Sequence, residues 1–171
     1  NHLLCEDCEI TGNGGFGISI GGRDTDNLIR TAVIRDNGGH GIYFRADSNN
    51  PYMSGNRNVI THCEIGPNCR KGTPGEIYLE NATADIHLLN NRITPSAAVR
   101  PVAVFIADQC RRIVVASRMT VSARSAACAV AAFITTVNGV LSACARLPAW
   151  RRASSACRSL CSSSPLSSST S

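Results

Sequence analysis

The sequence predicts an all-β protein, a right-handed parallel β-helix with about 24–31 residues per coil. Three observations carry this. First, one phrase is written twice: "TGNGGFGISI" at residues 11–20 returns as "RDNGGHGIYF" at residues 35–44, 24 positions later. Second, strand-like runs end at Ile10, Ile34, Ile65, Ile93 and Val121, at intervals of 24, 31, 28 and 28 residues. Third, the apolar runs are short, rich in Ile and Val and broken by Gly and Asn. Helical repeats need amphipathic runs of about ten or more residues with a 3.6 period.

The elements follow in order along each unit. A first strand region, "LLCEDCEI", "NLIRTAVI", "NVITHCEI", "IHLLNNRI" and "IVVASRMTV", ends at each of those apolar residues. Three positions after the first four come Asn13, Asn37, Asn68 and then Ser96. A second short strand follows each turn: "GISI", "GIYF", "EIYL" and "AVFI". Three strands and three turns per coil let each strand pair with its copy about 4.8 Å away. The inward side chains then form one apolar column.

The phrase has physical reasons. Asn13, Asn37 and Asn68 are expected to stack inside one turn, their amides hydrogen-bonded from coil to coil. Gly14, Gly15, Gly38 and Gly39 are expected to supply positive φ in a sharp bend. Cys8, Ala32, Cys63 and Asn91 share one interior register. Cys8 and Cys63 are two coils apart, roughly 9–10 Å, beyond disulfide reach. "CEDC" at residues 5–8 has the spacing of zinc and redox sites. Zinc would want a second pair at the same spacing, and Cys63 and Cys69 are separated by five residues. Interior stacking with one partly exposed thiol is the expectation.

Residues 1–96 resemble the right-handed parallel β-helix repeat proteins of the pectate-lyase-like superfamily. The resemblance rests on the C-E-I-x-G/P-N and N-G-G-x-G-I phrases, over about three and a half coils with weaker echoes to Val121. It implies lyase- or hydrolase-like activity on an extracellular, acidic polysaccharide, in a shallow groove over the first strands walled by the loops before them. It also implies a secreted or periplasmic protein. The corresponding loops are "GGRDTD", "RADSNNPYMSGNR" and "ENATAD". The second is the longest. Arg45 opens it, and Tyr52 within it is placed to stack on a sugar ring.

Stacking the first strands puts Glu6, Arg30, Thr61 and Leu89 in one outward column and Asp7, Thr31, His62 and Asn90 in the next. A lyase acting on a sugar acid needs a base for the proton beside the carboxylate and a cation for the resulting charge. His62 and Arg30 are the candidates, with Glu6, Asp7, Arg45 and Tyr52 as substrate contacts. The bland alternative is an exposed charged face with weak ion pairs. Calcium is the one cofactor considered, through the oxygens of Asp24, Asp26 and Asp47 in neighbouring loops. Arg70 and Lys71 lie on an insertion at another corner, solvated or in contact with an anionic glycan. His40 is expected to face solvent. The competing function is a non-catalytic glycan-binding, adhesin or structural module.

Charge excludes some classes. Residues 1–96 hold eight Lys+Arg and eleven Asp+Glu, a net −3, while residues 97–171 hold nine Arg and one acid, a net +8. The overall +5 therefore gives the front part no basic face for nucleic acid. No phosphate loop, serine elbow or His-Glu-x-x-His motif is present. The opening "NHLLCEDCEI" reads as the middle of a sheet, so the true start is expected upstream. Coils are expected over residues 1–122, in a monomer. Residues 123–171 change character and leave four readings open: degenerate coils, a marginal apolar span at 125–145, a disordered Ser-rich tail, or an out-of-frame stretch. No membrane span is expected there, because the apolar run is Ala-rich and holds Asn138 and Ser142.

Overall fold

The computed structural model describes residues 2–47, 50, 54–73, 75–96 and 102–119. Twelve strands occur in these residues, and no helix does. The tail 123–171 and Tyr52 lie outside the described residues.

Three strands make each early coil. The first coil holds β1 (Leu4–Glu6), β2 (Glu9–Thr11) and β3 (Ile18–Ile20), and the second β4 (Leu28–Arg30), β5 (Val33–Arg35) and β6 (Ile42–Phe44). The third holds β7 (Val59–Thr61), β8 (Glu64–Ile65) and β9 (Ile77–Leu79). Then β10 (Ala84–Ile93) runs through two strand positions, followed by β11 (Val104–Ile106) and β12 (Arg111–Met119). All pairings are parallel. One sheet runs β1-β4-β7-β10-β8-β5-β2, with β12 also on β10, and the other β11-β9-β6-β3. The first and second strands of each coil thus form one folded sheet, because β10 belongs to both sides.

The register is the one the repeat demands. Ile10 pairs with Ile34, Ile34 with Ile65, and Ile65 with Ile93. Cys5, Ile29, Ile60, Leu88 and Val115 form a second interior column. On the other sheet Ile18, Ile42, Ile77 and Val104 align, as do Ile20, Phe44, Leu79 and Ile106. Ile34, Ile42, Phe44, Ile60, Ile77, Leu79 and Leu88 are fully buried. Each such side chain contributes about 1.5–3 kcal/mol on removal from water.

The coil turns its corners on left-handed residues that also stack. Asp7, Thr31, His62 and Asn90 have φ of 49°, 51°, 55° and 55°. Asp26, Arg57, Asp85 and Arg112 have φ of 60°, 54°, 58° and 50°. This conformation costs an L-residue about 1–2 kcal/mol, and Asp and Asn tolerate it best. The second set alternates in charge. Arg57 Nε and Nη2 each donate to Asp26 at 2.7 Å, and Arg112 repeats the fork on Asp85. The guanidinium hydrogen bonds hold both carboxyls below the usual carboxylate range.

Polar groups inside the coil are answered one coil away. Asn37 Oδ1 accepts from Asn13 N and Nδ2, both at 3.0 Å. Its Nδ2 donates to Asn68 Oδ1 at 2.8 Å and to Ile10 O at 3.1 Å. All four hydrogen-bonding sites of the buried Asn37 amide are therefore used. Asn68 N and Nδ2 both donate to Glu76 Oε2 at 2.9 Å, and Ser96 N donates to Glu76 Oε1 at 2.7 Å. Two further stacks appear. Asn27 N donates to Asn58 Oδ1 at 2.9 Å, and Asn91 accepts from Cys63 N at 3.0 Å and donates to Ser117 Oγ at 3.2 Å.

One expectation about glycine is corrected. Gly14, Gly15, Gly38 and Gly39 are not among the positive-φ residues. Gly38 is needed for proximity: a Cβ there would lie 2.4 Å from Gly14 O, where no atom fits. The bend is left-handed two residues before the first pair, at Gly12 (φ 72°), and at Asp36 (φ 56°) in the next coil.

The cysteines in the described residues are all free, Cys8 and Cys63 among them. Val33 N donates to Cys8 O, Glu64 N to Ala32 O and Arg92 N to Cys63 O, each at 2.8–2.9 Å. These bonds place Cys8, Ala32, Cys63 and Asn91 in one register.

Ile34→Asp should lower stability by more than about 4 kcal/mol, since a carboxylate there has no partner. Arg35→Asp, exposed on the next residue, should change it by less than about 1 kcal/mol. Urea melts of both variants check the inward and outward assignment. Asn37→Leu should cost about 3–5 kcal/mol, because Asn13 N and Ile10 O lose their Asn37 partner and Asn68 Oδ1 keeps only the backbone N–H of residue 37; the same melts read it. Depressed carboxyls stabilise the fold above the ordinary carboxylate pKa and lose that contribution as pH falls below it. The acid limb of stability below about pH 4 should therefore be shallower in the double variant Asp26→Asn, Asp85→Asn than in the parent.

Candidate functional site

The first-strand face assembles as columns. Glu6 pairs with Arg30 and Arg30 with Thr61 in register, and Leu89 follows Thr61. Asp7, Thr31, His62 and Asn90 sit beside them on the left-handed corner, which turns their side chains outward; all four are exposed. Asp7 N donates to Thr31 Oγ1 at 3.3 Å. The structure thus brings Glu6, Asp7, Arg30 and His62 onto one patch.

An ion pair occupies part of that patch. Arg30 Nη2 lies 2.6 Å from Glu6 Oε1. Hydrogen bonding and charge from Glu6 push the guanidinium pKa further up. A substrate carboxylate would have to displace Glu6 to reach Arg30. His62 Nδ1 lies 2.8 Å from Thr61 Oγ1 in the neighbouring column.

Arg45 stands at the end of β6. Its backbone N–H donates to Ile20 O at 3.0 Å, and its guanidinium lies over Gly21, 2.9 Å from where a Cβ would stand. It therefore packs against the preceding coil. Arg70 and Lys71 are exposed. Lys71 N donates to Gly38 O at 2.9 Å, and its Cε is 3.3 Å from the Cβ position of Gly38.

The three acids of the calcium reading are held separately. Asp26 is engaged by Arg57. Asp24 Oδ2 accepts from Gly21 N at 2.6 Å, and Asp47 Oδ1 accepts from Asn50 N at 3.3 Å. Each carboxylate is used by its own loop or corner. Among the described residues, no group of three His, Cys, Asp or Glu side chains is arranged to hold a metal ion.

A second face was not foreseen. The middle residues of β3, β6, β9 and β11 point outward and align as Ser19, Tyr43, Tyr78 and Phe105. Phe16 and His40, from the turns before β3 and β6, join them. Phe16 and His40 stack with centroids 5.6 Å apart, His40 and Tyr78 at 4.5 Å, and Tyr78 and Phe105 at 4.3 Å. Tyr43 packs against the side of this stack, 4.5 Å from Phe16 and tilted by 48°. Phe16 and Phe105, at the ends, are 40% and 37% exposed.

His40 is the clearest correction to the sequence reading. It is buried, and its Nδ1 donates to Gly75 O at 2.8 Å. The ring sits inside the aromatic stack because the coil brings Phe16 and Tyr78 to either side of it. Tyr43 OH donates to Glu80 Oε2 at 2.7 Å. Burial, then this carboxylate, push the Tyr43 phenol up to about 12. The signal for this face was present in the sequence: "GISI", "GIYF", "EIYL" and "AVFI" carry Ser, Tyr, Tyr and Phe at one shared outward position.

Among the described residues, no helix is long and apolar enough to cross a membrane. The apolar stretch 125–145 lies outside them. Neither a curated protein nor a solved structure matches the chain. A family model described as "Right handed beta helix region" matches residues 1–131. With parallel strands stacked in register through about four coils and that match across most of its length, the chain belongs to the right-handed β-helix family.

Proposed function

We propose that the chain binds an acidic polysaccharide along its outer surface, and does so as a non-catalytic module. The observation that carries this is the aromatic column from Phe16 through His40 and Tyr78 to Phe105, with Tyr43 on its flank. Aromatic rings present an apolar body with a polar tip to a ligand, and Phe16 and Phe105 leave exposed apolar surface at the two ends of the column, with Tyr43 and Tyr78 half-buried between them. A column that repeats once per coil suits a ligand that is itself a linear repeat. Lys71, held beside Gly38, places a cation near the Phe16–His40 end of the column, which favours an acidic polymer. On this reading the protein works where such polymers occur, secreted or in a periplasm.

One observation favours a second reading, a polysaccharide lyase. His62 is exposed on the corner column beside Arg30, so a base and a cation lie on adjacent coils. The Glu6 contact weighs against it, since it already neutralises the cation.

Calorimetric titration with a panel of uronate polymers separates the readings. The binding module predicts measurable affinity, no accumulation of unsaturated ends absorbing in the ultraviolet, and about tenfold weaker binding by Tyr78→Ala or Phe105→Ala. Unsaturated ends that disappear in His62→Ala, with an unchanged melting temperature, would replace it with the lyase. Absence of binding to every polymer in the panel would remove the carbohydrate reading altogether.

A further inference from the structure

The left-handed corner at Asp7 turns two interior side chains of the first coil toward one another. These are Cys5 and Cys8, whose Sγ atoms lie 2.9 Å apart, closer than two sulfur atoms in ordinary contact. The equivalent interior positions are Ile29 and Ala32 in the second coil, Ile60 and Cys63 in the third, and Leu88 and Asn91 in the fourth. Among these four coils, only the first places sulfur at both.

The other described cysteines are differently held. Cys63, Cys69 and Cys110 are buried, and each thiol is paired with backbone carbonyl oxygen. Cys5 and Cys8 are half-buried, and each has the other as its sulfur partner. This is the arrangement of a vicinal dithiol, in which the second thiol is in place before the first has reacted.

We propose that Cys5 and Cys8 form a thiol–disulfide redox site, closing to an intrachain disulfide by exchange with a small disulfide such as glutathione disulfide. One cysteine thiolate attacks a glutathione sulfur, forming a mixed disulfide and releasing one glutathione thiolate. The second cysteine sulfur then attacks the protein sulfur of that mixed disulfide. The Cys5–Cys8 bond forms and the second glutathione leaves. The protein loses two electrons and two protons, and glutathione disulfide gains them as two thiols. Closing a ring of so few residues constrains the unfolded chain little compared with a long loop, so the bond acts as a reversible state more than as a staple. Burial pushes the Cys5 thiol up to about 11. That leaves Cys8 as the attacking thiol.

The site is read by mass spectrometry of the folded chain after exposure to glutathione disulfide. Trypsin cuts after Arg23, and the stretch before that cut contains Cys5 and Cys8 and no other cysteine of the sequence. The expected result is a loss of about 2 Da from this peptide, with both alkylation sites vanishing together and returning after dithiothreitol. Closure should be at least about tenfold faster in the folded chain than in urea, because the fold holds the sulfurs together. Cys5→Ser should instead retain a stable glutathione adduct on Cys8. The proposal is overturned if both thiols remain alkylatable in the parent, or if a mixed disulfide persists there without closing. Linkage of either cysteine to a third, or equal closure rates folded and unfolded, would overturn it as well.

Discussion

Parallel pairing at a fixed register is the constraint from which the rest of this structure follows. Each coil must repeat the path of the one before it at the spacing of strands in a sheet. A side chain therefore meets the occupant of the same position in the next coil, and little else. For Ile34 that rule yields an apolar column with Ile10, Ile65 and Ile93. For Asn37 it yields an amide saturated from both sides. A buried polar group left unanswered would be expensive, so an asparagine at this position requires another acceptor in the neighbouring coil.

The same rule decides what the surface can do. Outward charges also meet their copies, and the columns pair acid with base: Glu6 with Arg30, Glu9 with Arg35, Asp26 with Arg57 and Asp85 with Arg112. Such exposed pairs add little stability singly, but they leave the first-strand face electrically quiet. The aromatic face differs in kind. Its rings stack on one another through Tyr78 and Phe105, and stacking neutral rings leaves apolar surface for a partner.

Much of the fold was legible because the repeat sits in the sequence. The spacing of Ile10, Ile34, Ile65 and Ile93, read with the Gly-Ile phrases, locates the strands and their register. The columns holding Arg30 and His62 followed directly. What the sequence concealed was three-dimensional in origin. Glycine pairs have two explanations, backbone twist and close approach, and only the position of Gly14 O beside Gly38 distinguishes them. His40 sits in a turn phrase that looks solvated, and its burial depends on rings from other coils. Asp26 resembles a metal ligand until Arg57, 31 residues away, is seen to hold it.

The end of the asparagine stack at Glu76 gives that stack a direction. Every amide in it hands one hydrogen forward: Asn13 to Asn37, Asn37 to Asn68, and Asn68 to the carboxyl of Glu76, while Asn37 and Asn68 give the other back to Ile10 O and Ile34 O. A carboxylate that only accepts cannot be satisfied by an amide turned around, so Glu76 dictates which face of Asn68 carries oxygen. Asn68 dictates the same for Asn37, and Asn37 for Asn13. The line of dipoles points its positive ends at the buried Glu76 carboxyl. Burial raises the pKa of that carboxyl, against the hydrogen bonds from Asn68 and Ser96, which draw it down. One carboxyl group thus sets the polarity of a wire that crosses three coils, and reversing any single amide would break the continuity of the whole.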